Sequence, residues 1–187
     1  MRYLVALLAL LFAVAASAPA LRYQLDSSHS QVAAKVGVMG LASKTARFPK
    51  MAGGIQLSPE RLETINLDVT LDARALVAND DTTTKQLRGA KFFDVERHPT
   101  VRFTGQRMTM TGPTTAKLEG TITARGVTRP TLLSVSFAQP PAKATGREPI
   151  TLTASGTIDR RDFGMTSYSM FVGKKVTITI RARMLPD

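Results

Sequence analysis

The chain has 187 residues, a formal net charge of +11 and no cysteine. That length supports one domain with a sizeable core, and the missing thiols exclude disulfides, thiol catalysis and Cys-ligated metals. The excess of Lys and Arg favours anionic partners.

Met1-Arg2 is a short basic start, Leu4 to Ala16 is almost wholly apolar, and Ala16-Ser17-Ala18 fits a small-x-small cleavage site. This three-part pattern predicts a secretory signal peptide over residues 1–18, cleaved after Ala18, with the mature domain over 19–187. The apolar run falls short of the ~20 residues a spanning helix needs, and no basic stop-transfer cluster follows. Without Arg2 the exported chain carries a charge of about +10. Outside the cytoplasm its anionic partners would be lipid headgroups, pyrophosphates or envelope polymers rather than nucleic acid.

Leu21 to Leu25 is a short strand candidate, and Asp26-Ser27-Ser28 supplies turn chemistry. Gln31 to Val38 alternates, with Val32, Ala34, Val36 and Val38 on one face. Met39 to Arg47 reads as a linking piece with a helical turn, closed by Phe48-Pro49. Gly53-Gly54 opens a strand at Ile55 to Leu57, and Ser58-Pro59-Glu60 turns it. Thr64 to Asp72 is the clearest strand: Ile65, Leu67, Val69 and Leu71 face one way and Asn66, Asp68, Thr70 and Asp72 the other, the pattern of a half-buried strand.

The next stretch breaks the alternation. Thr82 to Arg88 can make about two helical turns, started by Asp80 or Asp81 and stopped at Gly89. Phe92 and Phe93 stand side by side, so in an extended chain they point in opposite directions. Pro99 restrains His98 to an extended conformation, and Thr100 to Phe103 reads as a strand with Val101 and Phe103 on one face. A long crossover bearing adjacent aromatics is either a lid over a β-structure or a core-filling connection.

Alternation then resumes. Gln106 to Thr111 precedes a turn at Gly112-Pro113, and Ala116 to Ala124 carries Leu118 and Ile122 inward. Arg125-Gly126 reads as a tight hairpin or bulge. Thr131 to Ala138 places Leu133, Val135 and Phe137 together, and Pro140 to Pro149 reads as the most exposed loop. Thr151 to Ile158 alternates through Leu152, Ala154, Gly156 and Ile158. Asp159 to Thr166 is a second irregular patch, and Lys175 to Met184 is the final strand.

Eight to ten alternating segments with one or two short helices, and no long parallel crossovers, predict an all-β antiparallel fold. A closed barrel and a two-sheet sandwich both satisfy this pattern. Small inward residues, Ala34, Ala154, Gly156 and Ala182, mixed with large ones can leave a cavity, and eight strands is about the size that holds one small ligand.

Little here carries catalytic chemistry. The only histidines, His29 and His98, are far apart in sequence and make no metal pattern. His29 beside Asp26 reads as a turn or cap residue. No G-x-S-x-G elbow, phosphate-cradling loop or dinucleotide fingerprint occurs. Arg161 with Asp162 offers a forked donor beside a carboxylate for a polar ligand head, or a turn whose charges pair with each other. The chain is therefore expected to be no enzyme and to hold no metal or cofactor.

Several ordered motifs then resemble one family. Tyr23-Gln-Leu-Asp26-Ser-Ser-His29-Ser30 is similar to the Y-x-I-D-x-x-H-S opening of the YceI family of bacterial periplasmic proteins. Leu87-Arg-Gly-Ala-Lys-Phe92-Phe93-Asp94-Val95-Glu-Arg-His-Pro99-Thr-Val-Arg-Phe103 resembles its L-x-S-x-x-F-F-D-V-x-x-x-P-x-I-x-F. Gly120-Thr-Ile-Thr123-Ala-Arg-Gly126-Val127-Thr128-Arg-Pro130 resembles its G-x-L-T-x-x-G-V-T-x-P hairpin, and Arg161-Asp162-Phe163-Gly164-Met165 its R-x-D-F-G patch. The resemblance covers nearly all of residues 19–187.

It implies a single lipocalin-like antiparallel barrel of about eight strands that holds a polyisoprenoid or fatty-acid-like chain in the periplasm. On that implication, Val36, Ile65, Leu67, Val69, Phe103, Leu118, Phe137, Ile158 and Ile178 line the interior, with Phe48 and Leu87 also among the ligand-binding positions. Phe92, Phe93 and Phe163 lie near the mouth, and Arg88, Arg161 and Asp162 contact the headgroup. Gln86 and Gly89 stand where the family often has His and Ser; the first change removes a titratable group beside the basic Lys85 and Arg88. The partner that receives the ligand, a membrane surface or a membrane redox protein, stays open, as does homodimerisation. The rival reading is a filled barrel whose basic face docks on anionic envelope components.

Overall fold

Alternation builds ten antiparallel strands in the computed structural model, which describes residues 20–40 and 42–187. The signal peptide expected over 1–18 lies outside the described residues. In chain order the strands are β1 Leu21–Leu25, β2 Gln31–Val38, β3 Ala42–Arg47, β4 Met51–Ser58, β5 Arg61–Asp72, β6 Thr100–Met110, β7 Thr115–Ala124, β8 Val127–Phe137, β9 Ile150–Asp159 and β10 Val172–Pro186. One α-helix, α1 Asp81–Arg88, sits in the β5–β6 crossover.

The strands pair in the order β1-β4-β5-β6-β7-β8-β9-β10, and β1 returns to β10 to close an eight-stranded barrel. The sandwich alternative is thereby settled in favour of the barrel. Closure occupies only the end of β10, where Leu25 faces Met184 and Tyr23 faces Pro186. From Arg181 back to Val172 the same edge of β10 pairs with β2, and β2 pairs with β3.

The hand-over between β1 and β2 explains the first motif. Asp26 N–H donates to the Arg183 carbonyl at 2.9 Å, and Arg183 N–H donates to Ser30 Oγ at 3.0 Å. Neither backbone group of Arg183 is stranded where the partner strand changes. Asp26 is held in turn by Ser28 Oγ at 2.6 Å and His29 Nδ1 at 2.8 Å. The Ser28 hydroxyl is the main cause that keeps the Asp26 carboxyl below its usual range.

Two sequence expectations require correction. The linking piece at Met39 to Arg47 is largely the strand β3, not a helical turn. Its residues form the outer partner of β2, and a bridge between Arg47 and Val77 ties down the end of its outer edge. Thr100 to Phe103 and Gln106 to Met110 belong to one strand, β6, and Thr111 lies just beyond its end. Gly105 faces Gly120 and Arg107 faces Glu119, so Gln106 is an extra residue in the ladder. This bulge switches the inward parity from odd numbers, Val101 and Phe103, to even, Met108. In the Pro140–Pro149 connection Pro141 is fully buried, while Ala142, Lys143, Thr145 and Arg147 to Pro149 are exposed.

The β7–β8 hairpin turns at Arg125 and Gly126, whose φ values of 50° and 72° are the left-handed pair of a two-residue hairpin turn. Glycine removes the strain at the second position.

Candidate ligand-binding cavity and its mouth

Inward side chains from the barrel strands and β2 enclose a cavity of about 190 Å³. Ser30, Arg160 and Arg181 contribute to its wall, yet the surface it presents is wholly apolar. Of the residues named from the sequence, β5 supplies Ile65, Leu67 and Val69, and β6 supplies Phe103. Leu118 comes from β7, Phe137 from β8, Ile158 from β9 and Ile178 from β10. Phe48, Phe93 and Phe163 complete this group of wall residues. Ala34, Ala154 and Ala182 also line the space, so small inward residues do border the hollow. Gly156 does not; a Cβ there would stand 2.6 Å from Leu133 Cδ2, so it serves close packing instead.

The crossover closes one end. Asp80 caps α1 by accepting from Thr83 N–H at 2.7 Å, and Lys44 Nζ reaches the same carboxylate at 2.9 Å. These two contacts, the Lys44 hydrogen bond first, lower the Asp80 pKa from 3.8 to about 2. Leu87 packs beside Leu76 and Phe48, outside the cavity wall. Phe93 points into the barrel, and its ring meets Phe48 edge to face. Phe92 points away and stacks on Tyr168, with centroids 6.0 Å apart and planes at 8°. The adjacent aromatics thus hold two different loops at one mouth.

Two of the three residues expected at the headgroup have partners within the protein. Arg88 Nε donates to the Leu76 carbonyl at 2.9 Å and so anchors the crossover. Arg161 forks onto Asp159, with Nε to Oδ1 at 3.0 Å and Nη2 to Oδ2 at 2.6 Å. Asp162 is exposed to solvent. Val36 lies on the interior side of β2, opposite Val176, but beyond the wall of the cavity.

Sequence reasoning missed Arg160. It is 4% exposed and lies at the cavity wall. Its guanidinium donates to the carbonyls of Gly173, Ser167 and Val172, each at 2.9 Å, and to that of Met165. Burial lowers its pKa. Alternation on β9 ends at Asp159, and Arg160 opens the short helical turn Arg160–Phe163 that follows, so no strand period pointed to it. Arg160 fastens the loop from Gly164 to Phe171, which begins with Met165 in the cavity wall. Arg125 adds a second tie, donating from Nη1 to the Gly164 carbonyl at 2.7 Å and from Nη2 to that of Ala90 at 3.2 Å. The hairpin motif therefore clamps both covers of the mouth.

Among the described residues, no group of three or more His, Asp or Glu is placed to hold a metal ion. His29 Nδ1 and Asp26 Oδ2 meet at 2.8 Å in the β1–β2 hand-over, the turn role expected of this pair.

An eight-stranded closed antiparallel barrel with an apolar interior and a covered mouth defines a class, the lipocalin-like barrels. Within it, the chain matches the YceI-like domain over residues 23–184 and belongs to that family. It is 27% identical over 153 residues to a UPF0312 protein of Pseudomonas putida strain F1, spanning 81% of this chain and 80% of that protein. A UPF0312 protein of Vibrio cholerae is 24% identical over 160 residues, 84% of this chain and 85% of its own. Among solved structures, Burkholderia cenocepacia BcnA superposes with a TM-score of 0.75 at 18% identity, over 85% of this chain and 98% of that one. A polyisoprenoid binding domain from Saccharophagus degradans gives 0.68 at 14% identity, over 89% and 99%. These likenesses show the shared fold.

Proposed function

We propose that this protein binds a long-chain lipid, a polyisoprenoid or fatty-acid-like chain, inside the barrel and carries it through the periplasm after loss of a signal peptide ending at Ala18. The observation that carries this reading is the interior itself, a covered cavity whose surface is entirely apolar. Each buried CH₂ contributes about 0.8 kcal/mol, so a chain of modest length binds by burial alone. The Saccharophagus degradans domain of the same fold is described as polyisoprenoid-binding, which supports a ligand of this class. The reading assigns the protein binding rather than catalysis, with no cofactor. Arg88, Arg161 and Asp162 have their own partners or lie in solvent, and the headgroup remains at or outside the mouth.

The test is native mass spectrometry of protein exported in its own host, followed by organic extraction. A stoichiometric long-chain adduct supports the carrier and names its lipid. A clean apo mass, with no uptake of added polyprenyl lipid, overturns it.

A further inference from the structure

The crossover end of the barrel carries an apolar surface that the cavity does not use. Met170 is 92% exposed, Met39 73%, Phe171 52% and Tyr168 45%. They lie on two loops, the β2–β3 turn and the Gly164–Phe171 loop, which are joined by Met39 N–H donating to the Phe171 carbonyl at 2.8 Å. The other large exposed hydrophobics among the described residues are Val77, which bridges Arg47 at the end of β3 remote from the turn, and Leu132 and Leu185, each on a separate strand. The exposed apolar side chains are thus concentrated at the tip rather than scattered, the pattern of a contact surface.

The surroundings of this tip are basic. Lys91 Nζ stands 5.2 Å from the centroid of the Tyr168 ring, and Lys174 and Lys175, both exposed, lie in the first residues of β10, three and four positions after Phe171. Arg125 grips the base of the loop. Three carboxylates are near, Asp94, Asp159 and Asp162, and Asp159 is already taken by Arg161. An apolar tip with a surplus of cations, on a chain of net charge +11, complements a bilayer that presents anionic headgroups over an acyl interior.

We infer that the crossover end docks on an anionic lipid bilayer, with Met39, Met170 and Phe171 entering the headgroup–acyl boundary and the lysines on the phosphates. Phe163 and Met165, which line the cavity, stand a few residues before the inserted Met170 and Phe171, so docking brings the mouth to the membrane. The inference stands on the surface alone and does not depend on what fills the cavity.

The chain contains no tryptophan, so Met170→Trp is a single reporter at the tip and Leu132→Trp a control on the barrel wall. Each is mixed with phosphatidylglycerol vesicles free of polyprenyl lipid. The expected result is a blue shift and quenching by brominated acyl chains for Met170→Trp alone, at least tenfold weaker with phosphatidylcholine vesicles or in high salt. The double variant Met170→Asp, Phe171→Asp, without tryptophan, should co-sediment with the vesicles at least tenfold less while yielding as much extractable lipid as the parent protein. Unchanged Met170→Trp emission on phosphatidylglycerol overturns the inference. So does a blue shift that appears without vesicles and grows with protein concentration, which would assign the tip to a second copy of the chain. Vesicle binding by protein that yields no extractable lipid supports docking and separately removes the carrier reading.

Discussion

Phe93 meets Phe48 edge to face, with ring centroids 5.7 Å apart and planes at 76°. The contact joins the crossover to the segment leaving β3, and both rings form part of the cavity wall. A charge placed there faces an apolar interior and opens the mouth to water. Phe93→Asp should therefore reduce retained lipid at least tenfold while far-UV circular dichroism stays native, since the strand ladders do not pass through residue 93. Quantifying extracted lipid per barrel checks this; unchanged content removes the crossover from any role as a lid.

Ala154 faces Val135 on β8 and Ile180 on β10, and borders the cavity. Ala154→Phe directs a ring into the hollow. Filling existing space avoids much of the roughly 1–3 kcal/mol that overpacking a tight core costs. The urea midpoint should move little while the bound adduct disappears from the native mass spectrum. A variant that keeps its adduct would locate the ligand elsewhere.

Arg160 and Arg161 are neighbours with opposite duties. Arg160→Ala strands four carbonyls around a buried site, and since a buried polar group left without a partner costs about 1–3 kcal/mol, the urea midpoint should fall clearly. Arg160→Lys recovers only part of this, because an ammonium lacks the planar fork. Arg161→Ala removes an exposed pair and should lower the urea midpoint far less than Arg160→Ala does. Equal losses at the two positions would contradict the assignment of Arg160 as the fastening of the mouth loop.

Asp80 and Asp159 both have carboxyl pKa values lowered from 3.8 to about 2, by Lys44 and then Thr83 at the first and by Arg161 at the second. A folded-state pKa below the unfolded one adds stability that is complete above the unfolded value and is lost as pH falls through the folded one. Urea midpoints should accordingly decline as pH drops from about 4 to about 2. Asp80→Asn keeps a capping acceptor but no longer titrates, so its curve should be flatter across that interval. Parallel curves for the two proteins would exclude Asp80 as a contributor.

Side-chain alternation is a local property with a period of two residues, and for that reason the antiparallel all-β class, most of the strands and the inward set Ile65, Leu67, Val69, Leu118, Phe137, Ile158 and Ile178 were legible from residue order alone. That period ends with β9 at Asp159; the buried Arg160 opens the turn beyond it and was passed over because its partners, the carbonyls of residues 165 to 173, become neighbours only when the loop folds back. Local pattern could not distinguish a barrel from a sandwich, since both bury one face of each strand; the pairing of Leu25 with Met184, between the first strand and the last, decides it. The β3 strand was missed because Ala42–Arg47 is an outer partner with little apolar patterning, and the Gln106 bulge was missed because it interrupts the period. Whether the interior is hollow, and that Phe93 turns into it while Phe92 turns out to Tyr168, depend on how side chains from distant strands fill one volume, a relation that only the closed tertiary structure defines.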